Sequence, residues 1–472
     1  MDTQLAIIGG GPAGYTAAFL AADLGMSVTL VDREPHLGGV CLLRGCIPSK
    51  ALLHVAKAKS EAARLADWGV TFGAANLDLD AMRARKQRVI QTLTAGLKQL
   101  SVRRKVRVVR ARATFEDSHT LHLEPAGSEP PEDDRLRFEH CILATGSEPA
   151  KIPLLDLPTD RVMNSTAALE LPEVPESMLV VGGGYIGLEM GTIYAALGSR
   201  VSVVEMTGGL LPGVDRNLVK PLYKKLQSDF ETIYLNTKVA AMADRNGAIE
   251  VVLEGDAKDG PRQFSRVLVA VGRRPNSADL RLEKTRVEVD ERGVVVVNPR
   301  RRTADPHILA IGDVSGEPML AHKAAHEGKV AVKALVGQPA EFAPRAIPAV
   351  VFTDPEIAWA GLTETEAKAQ NRDVDVAQFP WAASGRARAV GRTDGTTKWL
   401  IDRASGRVVG CGIVGPGAGE LIGEAVVAIE MGAAPRDLAN AIHPHPTLSE
   451  TLSSAADVHL GTATDLYRPK RI

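Results

Sequence analysis

The chain is poor in aromatic residues, poor in cysteine, and carries no excess of either charge. Its 472 residues include 9 Phe, 6 Tyr and 4 Trp, and only 4 cysteines: Cys41, Cys46, Cys141 and Cys411. So few cysteines exclude a disulfide scaffold of the secreted kind. The 56 basic and 57 acidic residues leave a net charge of −1, which offers no bulk attraction to nucleic acid or to a membrane surface. No uninterrupted apolar run reaches the ~18 residues that a membrane span requires. The start, Met1 to Gly14, lacks the basic stretch and cleavage site of a signal peptide and runs straight into a folded motif. The expectation is a cytoplasmic protein.

Glycine, by contrast, is plentiful, at 44 residues. Hydrophobic residues at 45% and charged residues at 24% place the chain among globular proteins rather than disordered ones. Its length suits two to four domains.

Leu5 to Ile8 reads as a buried strand, Gly9-Gly10-Gly11-Pro12-Ala13-Gly14 as a turn, Ala17 to Leu24 as a helix, and Val28 to Val31 as a second strand closed by Asp32. This is a dinucleotide-binding βαβ pattern. Gly9 permits the tight turn, Gly11 lets the backbone approach a pyrophosphate, and Gly14 allows close helix–strand packing. The helix N-terminus favours phosphate, and Asp32 can accept from ribose hydroxyls. The pattern recurs at Gly182, Gly184 and Gly187, with the strand at Val201 to Val204 ending on Glu205. All four landmarks repeat at one offset, 173 residues (9 to 182, 11 to 184, 14 to 187, 32 to 205). Two dinucleotide modules are therefore expected. Runs ending in glycine at Gly146, Gly272 and Gly312 close strands of these modules, and the last suggests a return of the chain to the first module. Beyond about residue 345 the pattern changes to alternating strands and a long Ala/Ile helix, which reads as a third domain.

The most specific segment is Gly38-Gly39-Val40-Cys41-Leu42-Leu43-Arg44-Gly45-Cys46-Ile47-Pro48-Ser49-Lys50. Two cysteines at this spacing can form a disulfide, and beside two nucleotide modules the pair reads as redox-active. No further metal ligands stand nearby at zinc spacing. Cys141 and Cys411 lie in apolar strands and read as core thiols. His443-Pro444-His445-Pro446-Thr447-Leu448-Ser449-Glu450 offers a histidine base with a carboxylate to orient it.

These two segments resemble the signature of the flavin-dependent pyridine nucleotide-disulfide oxidoreductases, and within them the dihydrolipoamide dehydrogenases. The resemblance extends along the chain through Ala144-Thr145-Gly146, Gly272-Arg273-Arg274-Pro275-Asn276, Gly312-Asp313 and Met319-Leu320-Ala321-His322-Lys323. It implies an α/β fold: two Rossmann-like dinucleotide-binding domains and a C-terminal α+β dimerisation domain. The expected division is 1–148 with 274–345 for FAD, 149–273 for NAD, and 346–472 for the subunit interface. The resemblance assigns FAD to Gly9, Gly11, Pro12, Ala13, Gly14, Asp32, Ala113, Thr145, Gly146, Ser147 and Asp313, and to backbone at Met319, Leu320, Ala321 and His322. Lys50 would lie beside the flavin and pair with Glu189. NAD falls to Gly182, Gly184, Tyr185, Ile186, Gly187, Glu189, Glu205, Val239 and Gly272. Cys41 would exchange with a dihydrolipoyl thiol, Cys46 would face the flavin, and His445 with Glu450 would serve the other subunit of a homodimer. Lipoylated carriers are the implied partners: those of 2-oxo acid dehydrogenase complexes, of glycine cleavage, or a dedicated lipoate-binding protein.

Three positions depart from the family pattern. Asp32 stands where glutamate is usual, and Leu43-Arg44 replace the usual Asn-Val of the redox loop. Three residues from Cys41 in a helix, Arg44 would lower that thiol and raise the reduction potential. The alternative is an outward Arg44 that docks an acidic carrier. Among rivals, an NADPH-linked glutathione or mercuric reductase would replace the acid or add arginine after Glu205, and Met206-Thr207-Gly208-Gly209 supplies none. A non-catalytic scaffold would have lost the cysteines or the histidine.

Overall fold

A computed structural model describes residues 1–128, 130–257 and 260–466. Each Gly-rich pattern opens a parallel sheet. In the first, Asp2–Ile8 lies between Val28–Asp32 and Arg135–Leu143, parallel to both. Arg107–Asp117 joins beyond Val28–Asp32, and Ile308–Ala310 pairs with the far side of Arg135–Leu143. Thr120–Pro125 bridges Arg107–Asp117 and Arg135–Leu143 in antiparallel register. Leu5, Ile7, Leu30, Ile142 and Leu309 have no exposed surface, as the near-continuous apolar runs of a sheet covered on both faces require.

The second sheet repeats the plan. Ser177–Val181 lies between Arg200–Val204 and Arg266–Val269, with Thr232–Tyr234 and Val162–Met163 at the two edges, all parallel. An antiparallel unit of Thr237–Arg245, Ala248–Gly255 and Arg262–Phe264 packs beside it. The modules are joined where Ser147–Pro149 pairs antiparallel with Arg273–Pro275, at the exits of both sheets. From Ala349 the chain builds a five-stranded antiparallel sheet. Helices Ala418–Met431 and Glu450–Leu460 pack with it around the fully buried Trp381 and Trp399.

One stretch, 39–68, has the length and apolar content of a membrane span. It is broken at Gly45, where the backbone leaves helical geometry, and its second half packs on the helix Tyr185–Leu197. It is therefore a wall of the molecule's interior.

The second module is clasped to the C-terminal sheet by a buried cation. Lys398, 1% exposed, reaches Asp215, 3% exposed, at 2.6 Å, and Asn217 at 2.9 Å. Asp215 also accepts from the Glu364 and Thr365 amides. Burial works to raise the Asp215 carboxyl, but Lys398 and these amides outweigh it and hold it below the ordinary carboxylate range. A depressed folded value means that this stabilisation is present above the unfolded pKa and fades as pH falls through the folded one. Lys398→Met is expected to lower unfolding stability by about 3–5 kcal/mol, because it strands a buried carboxylate. Denaturant unfolding at neutral pH measures the loss, which should shrink as the solution is acidified.

Candidate active site

In both modules the outer glycines are dictated by sterics. Gly9 (φ 108°) and Gly182 (φ 107°) adopt left-handed backbone, and a Cβ on either would run into the carbonyl oxygens of Ala144 and Ala270. A Cβ on Gly14 or Gly187 would strike the carbonyl of Gly9 or Gly182. The middle glycines differ. A Cβ on Gly11 would find its nearest neighbour, the Gly39 Cα, at 3.7 Å, and one on Gly184 would have nothing within 4 Å. Helices start directly after them, at Pro12 and Tyr185, with no side chain capping the first amides. The open middle positions and the free amides fit a pyrophosphate in each module.

The acids do a second job. Asp32 accepts from the Gly10 amide and, at 2.9 Å, from the Glu34 amide. Glu205 accepts from the Gly183 amide and from the Thr207 amide and hydroxyl, each at 2.8 Å. Each carboxylate thus pins the glycine turn of its own module. Burial raises the Asp32 carboxyl, and its two amide bonds only partly oppose that.

The cysteines occupy two helices, not one. Gly39–Arg44 carries Cys41 and ends at Gly45, where a Cβ would lie 2.8 Å from the Val40 carbonyl oxygen. Cys46 opens the next helix, Cys46–Arg64. Both thiols are free in this structure, and both border one cavity. The cavity is also lined by Gly11, Pro12, Ala13, Asp32, Lys50, Ala113, Thr145, Gly146, Ser147, Asp313, Met319 and Ala321. Tyr185, Ile186 and Glu189 from the second module form another wall. Residues more than 300 positions apart thus converge, and two sulfur atoms face the space between two nucleotide cradles.

The two thiols are electrically unequal. The Cys41 S–H hydrogen-bonds to Cys46, which together with burial pushes Cys41 well above the ordinary thiol range. The same bond, helped by Lys50 one turn along the helix, pulls Cys46 down to about 7 despite its burial. Lys50 is fixed by Glu189 at 2.8 Å and lies 4.4 Å from the centre of the Phe352 ring.

Arg44 is not the cation that acts on the thiols. Its guanidinium reaches Glu34, just beyond Asp32, at 2.6 Å, and holds that carboxyl below its usual range. Arg44 is taken up by this pair, and the cation that acts on both thiols is Lys50, so the expectation that Arg44 tunes Cys41 gives way to Lys50.

His445 lies outside this cavity among the described residues, and its side chain is 78% exposed. Its Nδ1 faces Glu450 Oε1 at 2.8 Å, while Glu450 Oε2 accepts from the Thr447 amide at 2.7 Å. Burial opposes ionisation of Glu450, but the Thr447 amide and His445 prevail and keep the carboxyl below its ordinary range. With Nδ1–H donated to Glu450, the Nε2 lone pair is free. His443 is tied instead to Glu424 at 2.8 Å.

Other expected residues sit less directly. Leu320 precedes the helix Ala321–Leu335, and the His322 ring turns away to the Pro348 carbonyl at 2.7 Å. The Val239 side chain is buried in the core with Leu179, Val181 and Val204, so any nucleotide contact it makes comes from its main chain. Gly272 (φ 121°) lies at the junction between modules and accepts from the Ala150 amide. Three residues were missed by sequence reasoning. Arg273 donates to the Ser147 hydroxyl at 2.7 Å, the Phe352 amide donates to Glu189 at 3.1 Å, and Glu327 holds the Gly312 amide. Only Arg273, next to the expected nucleotide-site residue Gly272, had a positional signal.

Comparison with known proteins agrees with this geometry. The family model for pyridine nucleotide-disulphide oxidoreductases matches residues 3–328, and that for their dimerisation domain matches residues 347–456. Dihydrolipoyl dehydrogenase of Haemophilus influenzae is 47% identical over 470 residues, covering 100% of this chain and 98% of its own. That of Vibrio cholerae is likewise 47% identical, with the same coverage. Among solved structures, LpdA from Mycobacterium tuberculosis superposes with a TM-score of 0.88 at 27% identity, covering 96% of this chain and 99% of that one. With two nucleotide cradles meeting at a dithiol and these full-length relatives, the chain belongs to the pyridine nucleotide-disulphide oxidoreductase family, as an FAD- and NAD(H)-dependent flavoprotein oxidoreductase with a dimerisation domain.

Proposed function

We propose that the protein oxidises protein-bound dihydrolipoyl groups to lipoyl groups with NAD+ as acceptor. The observation that carries this reading is the shared cavity: Cys41, Cys46 and Lys50 face the same space as the first glycine turn, and Tyr185 and Glu189 of the second module close it. The first module, 1–148 with 274–345, holds FAD through Gly11, Pro12, Ala13, Asp32, Ser147 and Asp313. The second, 149–273, holds NAD through Gly184, Glu189 and Glu205, and 346–472 forms the subunit interface. FAD supplies the two-electron link between the dithiol and NAD.

The chain's own residues handle thiols and protons. In the oxidised enzyme Cys41 and Cys46 are joined. His445 of one subunit removes a proton from a dihydrolipoyl thiol at the partner's cavity, with Glu450 stabilising the imidazolium. The substrate thiolate attacks Cys41 Sγ, the Cys41–Cys46 bond breaks, and Cys46 leaves as a thiolate. The Lys50 ammonium beside it stabilises that thiolate, which favours Cys46 as the leaving group. The second substrate thiol, once deprotonated, displaces Cys41 from the mixed disulfide. The lipoyl group has then lost two electrons and the cysteine pair has gained them. Lys50 holds the Cys46 thiolate on the cavity side until the electrons move on. The partners are lipoylated carrier proteins, and a chain with so few cysteines suits the cytoplasm.

Two outcomes test this reading. Glu205 places a carboxylate, both of whose oxygens are already fixed, where a 2′-phosphate would have to sit. NAD is expected to exceed NADP in kcat/KM by about a hundredfold or more. Comparable values would refute the placement of NAD. Second, Cys46→Ser subunits mixed with His445→Gln subunits should regain dihydrolipoamide activity that neither variant dimer has, because one hybrid site is intact. Inactive verified heterodimers would refute the shared site.

A further inference from the structure

Behind the cavity lies a charged cluster that none of the steps above uses. Glu327, in the helix Ala321–Leu335, has a side chain with no exposed surface. Its Oε1 receives the Arg301 guanidinium at 2.6 Å and the Lys323 ammonium at 3.2 Å. Its Oε2 receives the Gly312 amide at 2.7 Å and the Ser315 hydroxyl at 3.3 Å. Lys323, 2% exposed, donates also to the Gly316 carbonyl at 2.7 Å and the Gly312 carbonyl at 3.3 Å. Apart from the ion pairs to Arg301 and Lys323, these bonds converge on one short turn and the residue after it, Gly312–Gly316, which presents Asp313 to the cavity.

A buried carboxylate is costly unless it is fully paired, and this one is. Arg301 apart, its partners gather at one place: the amide and hydroxyl are both in the Asp313 turn, and Lys323 grips that turn from its other end. Gly312 needs the grip. It has φ 78° and lies against Ala13, at the start of the first glycine-turn helix, where a Cβ would stand 3.3 Å from the Ala13 Cβ. Among the described residues, the Asp313 side chain itself is held only by the Ser147 hydroxyl.

We propose that Glu327 is a positioning residue for the flavin: with Lys323 it sets the Gly312–Asp313 turn so that the Asp313 carboxylate is presented to FAD in the cavity. This rests on the assignment of FAD to the first module. Glu327 touches no cofactor; it acts through the Gly312 amide. Because a hydrogen bond to a charged group is strong, its loss should be felt as cofactor release rather than as a change in the thiol chemistry.

The test is a double-mutant cycle on the holoenzyme, read as the rate at which bound FAD is released and becomes fluorescent in a mild chaotrope. Asp313→Asn and Glu327→Gln should each speed release by about tenfold or more. The double variant should release FAD little faster than the faster single one, because both act through the same contact. A wild-type release rate in Glu327→Gln overturns the proposal. So do effects that multiply in full, since a general weakening of the fold would add to Asp313→Asn independently. An unchanged rate in Asp313→Asn also overturns it, but through the placement of FAD rather than through Glu327. Should Glu327→Gln not accumulate as folded protein, Ser315→Ala removes one donor and leaves the ion cluster intact. The same cycle then applies, with an expected increase of about threefold that disappears in the Asp313→Asn background; full additivity overturns the proposal there too.

Discussion

The ion pair between Lys50 and Glu189 is the junction on which the rest of the site depends. It joins the helix that begins at Cys46 to the helix that begins at Tyr185, at 2.8 Å. The other Glu189 oxygen accepts from the Phe352 amide, and the Lys50 ammonium stands over the Phe352 ring. Three parts of the chain, centred on residues 50, 189 and 352, therefore meet at one buried carboxylate. Glu189 is nearly fully enclosed, so an unpaired charge there would be expensive, and the geometry is over-determined for that reason. The same cation that satisfies Glu189 lowers the Cys46 thiol. Structure and chemistry share one side chain.

This junction orders the division of labour between the thiols. Cys41 keeps its proton and donates it to Cys46, so the pair as a whole carries one negative charge on the sulfur nearer to Lys50. A second charge would face the first across a single hydrogen bond with one lysine to offset it. Exchange with a substrate thiol then needs an external base, and His445 with Glu450 has the form of one: a fixed tautomer on an exposed loop, outside the cavity of its own chain among the described residues. In the proposed function this base serves the cavity of the second subunit.

The glycine turns and their acids were legible in the sequence because backbone sterics leave no other residue at Gly9, Gly14, Gly182 and Gly187, and the spacing to Asp32 and Glu205 follows from one βαβ unit. The dithiol was legible because two cysteines at that spacing have few other uses beside nucleotide modules. What failed to show depends on contacts between distant segments. Arg44 is close to Cys41 along the chain, but the helix ends at Gly45 and a loop ten residues upstream supplies Glu34, so proximity in sequence pointed to the wrong partner. Glu327 looks in sequence like any acidic residue on a helix; only packing turns it inward onto Gly312. Val239 was expected at the nucleotide, but strand alternation buries its side chain.

The central claim is that Lys50, held by Glu189, keeps Cys46 as the thiolate facing the flavin. The direct measurement is the long-wavelength absorbance that a thiolate gives against oxidised flavin, followed against pH in enzyme reduced by one equivalent of dithiol. The account predicts a band half-developed near pH 7, lost in Cys46→Ser, and displaced upward by about one pH unit in Lys50→Met. A band that survives Cys46→Ser, or a midpoint that Lys50→Met leaves in place, would contradict it.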